Sequence, residues 1–175
     1  MILLDLHQRI WYNTKGLLAP DPNRAPADPK ENLVDQKPSA LQQFLAAYAE
    51  HTAASNIPAL VAQFADTFLV AGPSGSQCVH SADFARALPR RVELFASLGC
   101  QPAELISTEE SPLATRYVLA RTMWRFTFTR PEKAAESIDS ESIFLIDTGS
   151  DPFRILLYLT PHDIMDTLRQ RGITA

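Results

Sequence analysis

Two short stretches of this chain bring together side chains able to move protons or act as nucleophiles. Cys78 and His80 follow a Gly72-Pro73-Ser74-Gly75-Ser76 turn, and His162 sits beside Asp163 just after the last long apolar run. Each histidine offers an acid or a base near neutral pH. A nucleophilic Cys78 would make a Cys/His-based hydrolase, but it needs an orienting base in space, which spacing alone does not show. A partly buried turn is the plainer account of that pair. For His162 and Asp163 the plainer account is helix capping, because Asp163 stands where a carboxylate offsets unpaired amides at a helix start. Arg86, Arg90 and Arg91 share one stretch, and Arg116, Arg121 and Arg125 stud another. They could face an anionic ligand, although solvated pairing with carboxylates such as Asp83, Glu93 and Glu141 is the commoner arrangement. No His-Glu-x-x-His, Cys-x-x-Cys or Walker-like run occurs, so the sequence points to no metal and no cofactor.

These residues sit in a chain of 175 residues, 46% hydrophobic and 21% charged, long enough for one sizeable core and short for two domains. A net charge of -4 without a polybasic run argues against a nucleic-acid partner, since phosphate binding rests on clustered Lys and Arg. The opening Met1 to His7 carries Asp5 and His7 within its apolar run and is far shorter than a membrane span. A cytoplasmic protein without membrane contact is the expectation, with Cys78 and Cys100 as reduced structural thiols.

Residues 1–37 read as an N-terminal arm and proline-rich linker, and residues 38–175 as the domain. Leu3, Leu6, Ile10 and Trp11 fit a short amphipathic helix, too short to stand alone, so the arm is expected to dock on the domain or on a partner subunit. Pro20, Pro22, Pro26 and Pro29 then favour extended backbone.

Within the domain, Ser39 and Gln42 form a capping box before a helix to about Ala54, with Leu41, Phe44, Leu45 and Tyr48 on one face. Asn56 caps a second helix, with Pro58 in its first turn and Leu60, Val61 and Phe64 facing inward. A short strand from Thr67 to Ala71 precedes the glycine-rich turn. Ser81 then caps a longer helix carrying Phe84, Leu88, Val92 and Phe95, kinked or split by Pro89 and stopped at Gly99. Four strands follow as an antiparallel meander: Glu104 to Glu110, Thr115 to Thr129, Ile138 to Asp147 and Phe153 to Thr160. A last helix opens at Thr160-Pro161-His162-Asp163 and closes at Gly172. The expected class is α+β, a curved antiparallel sheet wrapped around helices, in the order αα-β-α-ββββ-α.

With those elements in place, the domain from about Pro38 to Gly172 resembles the nuclear-transport-factor-2-like superfamily, the cone-shaped fold of ketosteroid isomerases, SnoaL-like cyclases and scytalone dehydratases. The local likeness is to ketosteroid isomerase over Tyr48 to Ser76, carried by Phe64-Ala65-Asp66 and by Pro73-x-Gly75-Ser76. Ala87-Leu88-Pro89-Arg90-Arg91, Arg116-Tyr117-Val118-Leu119 and Tyr158 to Asp163 look more like uncharacterised bacterial members. The resemblance implies a pocket rather than a chemistry. It places Tyr48 where the isomerases hold the phenol that donates to a developing enolate oxygen, although Tyr48 also simply completes its helix face. The isomerases' catalytic aspartate corresponds to Gly72, which cannot abstract a proton. Their second acid falls loosely at Ser140, Glu141 or Ser142, in a register the sequence leaves open.

Three functions follow. One is a pocket for a small, largely apolar molecule, with or without lyase- or isomerase-like activity, whose candidate lining is Tyr48, His80, Trp124, Tyr158 and His162. Another is a non-catalytic dimeric interaction module with a filled pocket. Val118, Ala120, Trp124, Phe126 and Phe128 share one strand face and Tyr117, Leu119 and Met123 the other, so the sheet face is expected to form a homodimer. The third is the Cys/His-based hydrolase, which requires Cys78 or His80 to line the cavity.

Overall fold

The computed structural model describes residues 39–131 and 134–173. The amphipathic segment Leu3 to Trp11, the proline-rich arm and its docking therefore lie outside the described residues.

Helix α1 (Ala40–Ala53) begins at a reciprocal cap: the Gln42 N–H donates to Ser39 Oγ at 3.0 Å, and the Ser39 N–H donates to Gln42 Oε1 at 2.8 Å. Its apolar stripe buries Leu41, Leu45 and Tyr48. The helix ends at Ser55, held at φ 51°, a left-handed conformation usually left to glycine, so that the Asn56 N–H reaches the His51 carbonyl at 2.8 Å. Asn56 then caps α2 (Ile57–Val61), its Oδ1 accepting from the Ala59 N–H at 3.3 Å with Pro58 in the first turn.

Strand β1 (Phe64–Gly72) starts three residues after the end of α2. Phe64 therefore belongs to the strand and not to the helix face, because it is paired in parallel with Ile155 far along the chain. Gly72-Pro73-Ser74-Gly75 closes a hairpin, in which Gly72 opposes Gly75, with a strand the sequence reading lacked, β2 (Gly75–His80). The observed order is thus αα-ββ-α-ββββ-α within the expected α+β class. Helix α3 (Ser81–Ser97) follows directly, with His80 rather than Ser81 at its N-cap and no side-chain cap. It is one helix through Pro89, which neither splits nor ends it. Proline removes one backbone bond, whereas Phe84, Leu88 and Phe95 pack on the core from both sides of it.

Strands β3 (Glu104–Pro112), β4 (Tyr117–Phe128), β5 (Glu136–Asp147) and β6 (Arg154–Leu159) form the antiparallel meander. The sheet order is β2-β1-β6-β5-β4-β3, with only the β1–β6 pair parallel. Bulges interrupt the register at Leu105/Ser107 and at Leu145/Ile146, which bends long strands over a core. Helix α4 (Ile164–Gln170) starts later than expected: Asp163, not Thr160, is its N-cap, accepting from the Met165 N–H at 2.9 Å. Asp163 is therefore the capping residue.

The period of two divides β4 cleanly. Ala120, Thr122, Trp124 and Phe128 are buried on the inner face, while Arg121, Met123 and Arg125 alternate with them on the outer face. Phe64, Phe68 and Phe84 cluster with ring centroids 4.5 to 5.2 Å apart and join Tyr48, Trp124 and Phe144 in one core. A second cluster, Leu98, Phe128, Ile138, Leu168 and Ile173, fastens α4 to the far end of β4 and β5. Most of the stability this burial supplies comes from such large side chains, at about 1.5–3 kcal/mol for each one fully buried.

Candidate functional site

The aromatic core does not close completely between the helices and the sheet. A cavity of about 270 Å³ remains, bounded by α1, α2, α3, the Cys100–Ala103 segment and the inner face of β4 to β6. It is walled by Tyr48, Leu60, Phe84, Leu88, Phe95, Trp124, Phe126 and Tyr158. Beside it lies a wider cleft of about 1080 Å³ between the β1–β2 turn, α3 and the start of α4. Arg91, Phe95, Phe126, Ser142 and Tyr158 border both spaces, so the two adjoin along α3 and the inner face of the sheet.

Three of the five candidate residues line the inner cavity: Tyr48, Trp124 and Tyr158. His162 lines only the outer cleft. His80 lines neither, because it ends the edge strand β2, where its Nδ1 lies 2.9 Å from Thr67 Oγ1. Cys78 is exposed on the same strand and also borders neither space. The hydrolase reading fails on this geometry: the condition it set, a thiol or imidazole lining the cavity, is unmet by either residue. The thiol that does line the cavity is Cys100, which sequence reasoning passed over. Burial pushes its pKa up to about 11, so it stays protonated at neutral pH and is a poor nucleophile.

The three aromatics have different capacities. The Trp124 indole N–H donates to Thr122 Oγ1 at 2.9 Å, and Thr122 Oγ1 donates to the Ser142 carbonyl at 3.0 Å. Trp124 is therefore a fixed wall whose donor is already used. Tyr48 is 8% exposed and wedged between Trp124 and Phe144, with ring centroids 5.7 and 5.1 Å away. Its hydroxyl has no hydrogen-bond partner among the described residues. Burial raises its pKa well above the ordinary phenol value and the Tyr158 phenol adds to the rise, while the Arg91 charge opposes it. Tyr48 is thus a neutral donor at any physiological pH. Tyr158 stacks on Phe144 at 5.4 Å with its ring plane 17° off parallel.

The register of β5 settles which of Ser140, Glu141 and Ser142 face inward. Ser140 opposes Trp124 and Ser142 opposes Thr122, and both serines border the cleft. Glu141 points to the outer face, where it pairs with Arg121. No carboxylate lines the inner cavity among the described residues, and Gly72 borders only the outer cleft. The inner space holds hydrogen-bond donors and aromatic walls without a base.

The arginine pairing expected from composition holds for four of the six. Arg86 pairs with Asp83 and Arg121 with Glu141. Arg116 grips Asp147 bidentately at 2.8 and 2.7 Å, and Arg125 grips Asp139 at 2.8 Å through two nitrogens. Arg116 holds the Asp147 carboxyl below the usual range, helped by the Gly149 and Ser150 backbone. Arg90 and Arg91 make no ion pair among the described residues.

No protein-family model matches the chain, and no curated protein matches it in sequence. Solved structures do match the fold. A nuclear-transport-factor-2-like protein of Shewanella oneidensis is 12% identical with a TM-score of 0.56, covering 70% of this chain and 97% of its own. A ketosteroid isomerase-like protein of Erwinia carotovora is 16% identical with a TM-score of 0.52, over 70% of this chain and 92% of its own. The beta subunit of the benzoate 1,2-dioxygenase of Burkholderia mallei is 14% identical with a TM-score of 0.56, over 72% of this chain and 90% of its own. At such identities the likeness establishes the nuclear-transport-factor-2-like fold and leaves activity to the site. Among the described residues no helix is long and apolar enough to cross a membrane, and no cluster of His, Cys, Asp and Glu could hold a metal ion.

Proposed function

We propose that the protein binds a small, largely apolar molecule in the cavity between its helices and sheet. The observation that carries this reading is the aromatic-walled space of about 270 Å³, along which Tyr48 presents a phenol that bonds to no described residue. A phenol on a cavity wall with its hydroxyl free of protein partners suits a ligand's carbonyl or hydroxyl. The lack of a base inside the cavity favours binding over proton transfer. Any lyase- or isomerase-like step would have to draw its acid or base from the outer cleft, where His162 stands.

The test is a neutral bicyclic ketone, 2-acetonaphthone, which fills such a space and presents one acceptor. It is expected to bind and to raise the thermal midpoint. Tyr48→Phe should weaken that binding by about 0.5–1.5 kcal/mol, the net value of one neutral hydrogen bond. Unchanged affinity measured by calorimetry would place Tyr48 outside the site.

The outer face of the sheet favours a second, compatible reading, a homodimer formed through that face. Leu119 opposes Leu145, Leu145 opposes Leu157 and Leu157 opposes Leu69, a row of four leucines across four strands. Ile143 and Leu159 extend it by a second row. A continuous apolar strip of this kind is usually covered in solution. Sedimentation at roughly tens of micromolar protein should show a dimer that Leu145→Arg converts to monomer; a wild-type monomer there would refute the interface.

A further inference from the structure

The cavity's wall is apolar, but the charges around it are not random, and they narrow the class of molecule that would occupy it. Arg90 and Arg91 are adjacent on α3, and neither meets a carboxylate among the described residues, unlike Arg86 on α3, Arg121 and Arg125 on β4 and Arg116 just before it. Their surroundings differ. Arg90 borders only the outer cleft, where Glu93 and Asp163 bring negative charge and His162 adds a titratable ring. Arg91 borders both spaces, and it is the one charged residue lining the inner cavity among the described residues. Its guanidinium lies over the Phe95 ring, 5.4 Å from the centroid and one helical turn along α3, which holds it where cavity and cleft meet. Its charge also reaches the Tyr48 phenol.

We infer that the ligand is an amphipathic anion, with a ring-bearing apolar body in the inner cavity and a carboxylate held by Arg91 at the junction with the outer cleft. This rests on the reading of the cavity as a ligand site and adds the ligand's charge to it. A planar guanidinium with no acid of its own, set at the rim of a low-dielectric space, matches a carboxylate through two parallel N–H bonds. The Tyr48 and Tyr158 phenols line the same cavity and offer further hydrogen-bond donors. A cation would meet Arg91 with no carboxylate in the cavity to offset the repulsion.

Titration calorimetry with 2-naphthoate and its neutral isostere 2-naphthamide separates charge from shape. Wild type is expected to bind the acid about ten- to a hundredfold more tightly than the amide, the scale of a charge-assisted pair. Arg91→Gln should erase that preference by weakening the acid far more than the amide, and Arg91→Lys should keep part of it. Arg91 is exposed on its helix, so an unchanged thermal midpoint should show that the variants fold. Arg90→Gln, on the cleft side, should leave the preference intact. Equal affinity for acid and amide in the wild type would overturn the anionic inference and leave the pocket standing. Loss of the preference in Arg90→Gln instead of Arg91→Gln would overturn the assignment to Arg91. Binding of neither probe would overturn both the inference and the ligand reading beneath it.

Discussion

Gly99→Ala is expected to lower the thermal midpoint by roughly 10 °C, corresponding to a loss of about 3–5 kcal/mol. Gly99 ends α3 at φ +77°, where its N–H donates to the Ala96 carbonyl at 2.9 Å and the next N–H, of Cys100, donates to the Phe95 carbonyl at 3.0 Å. This is the paired closure that favours glycine just past a helix end. Alanine in that conformation costs about 1–2 kcal/mol by itself. The rest comes from crowding: a Cβ on Gly99 would lie 2.2 Å from the Thr129 carbonyl oxygen, on backbone that cannot rotate away. The Thr129 N–H donates to the Gly99 carbonyl at 2.9 Å, and Cys100 bridges to Phe128, so the clash must move the end of β4 or of α3. Cys100 to Ala103 wall the inner cavity, and the same shift should therefore weaken ligand binding. Gly172→Ala is the control, because Gly172 closes α4 at φ +65° with nothing within 4 Å of an added Cβ. It should cost only the conformational part, about 1–2 kcal/mol. Equal losses in thermal denaturation would show that the contact with Thr129 does not matter.

What the sequence revealed and what it hid follow one physical division. Periodic apolar faces and caps are local, so Leu41, Leu45 and Tyr48 on α1, the Ser39–Gln42 box and the two faces of β4 were all legible. Strand β2 was not. Gly75-Ser76-Gln77-Cys78-Val79-His80 is an edge strand almost wholly exposed, and with little apolar surface to bury it shows no alternation. Phe64 was misplaced for the complementary reason: three residues beyond Val61 it fits a helical face, and only its pairing with Ile155, some ninety positions away, makes it a strand residue. That pairing is a tertiary fact with no local trace. The site divides the same way. Tyr48 and Trp124 could be set facing inward because aromatics on a helix and a strand face follow from periodicity. His80 was admitted through its closeness to a glycine-rich turn, which says nothing about direction, and Cys100 was overlooked because one cysteine after a helix end carries no motif. Arg91 could not be told from its neighbours until the paired arginines were known, since an ion pair between strands depends on register.

The wild-type protein is expected to leave an unconjugated ketosteroid unisomerised, within the background rate, even though Tyr48 is present. Isomerisation of that kind needs a base to take the proton and a donor to steady the enolate oxygen. By the resemblance to the isomerases, Tyr48 is the expected donor. The resemblance sets the isomerases' aspartate at Gly72, and of Ser140, Glu141 and Ser142 only the two serines face inward, so neither place offers a carboxylate. A positioned general base contributes about 10²- to 10⁴-fold in rate, which is the acceleration Gly72→Asp should restore above the wild-type background. The substitution has room at a small cost: a Cβ on Gly72 would come 3.3 Å from Thr160 Oγ1, a side-chain atom that can turn aside, and the backbone there is not left-handed. Gly72→Asn has the same shape without the base and should stay at background. Turnover by the wild type, followed by ultraviolet absorbance of the conjugated product, would show that another group acts as base, with His162 in the outer cleft the first to replace. Activity equal in the Asp and Asn variants would instead mean that the side chain at residue 72 orders the pocket without taking the proton.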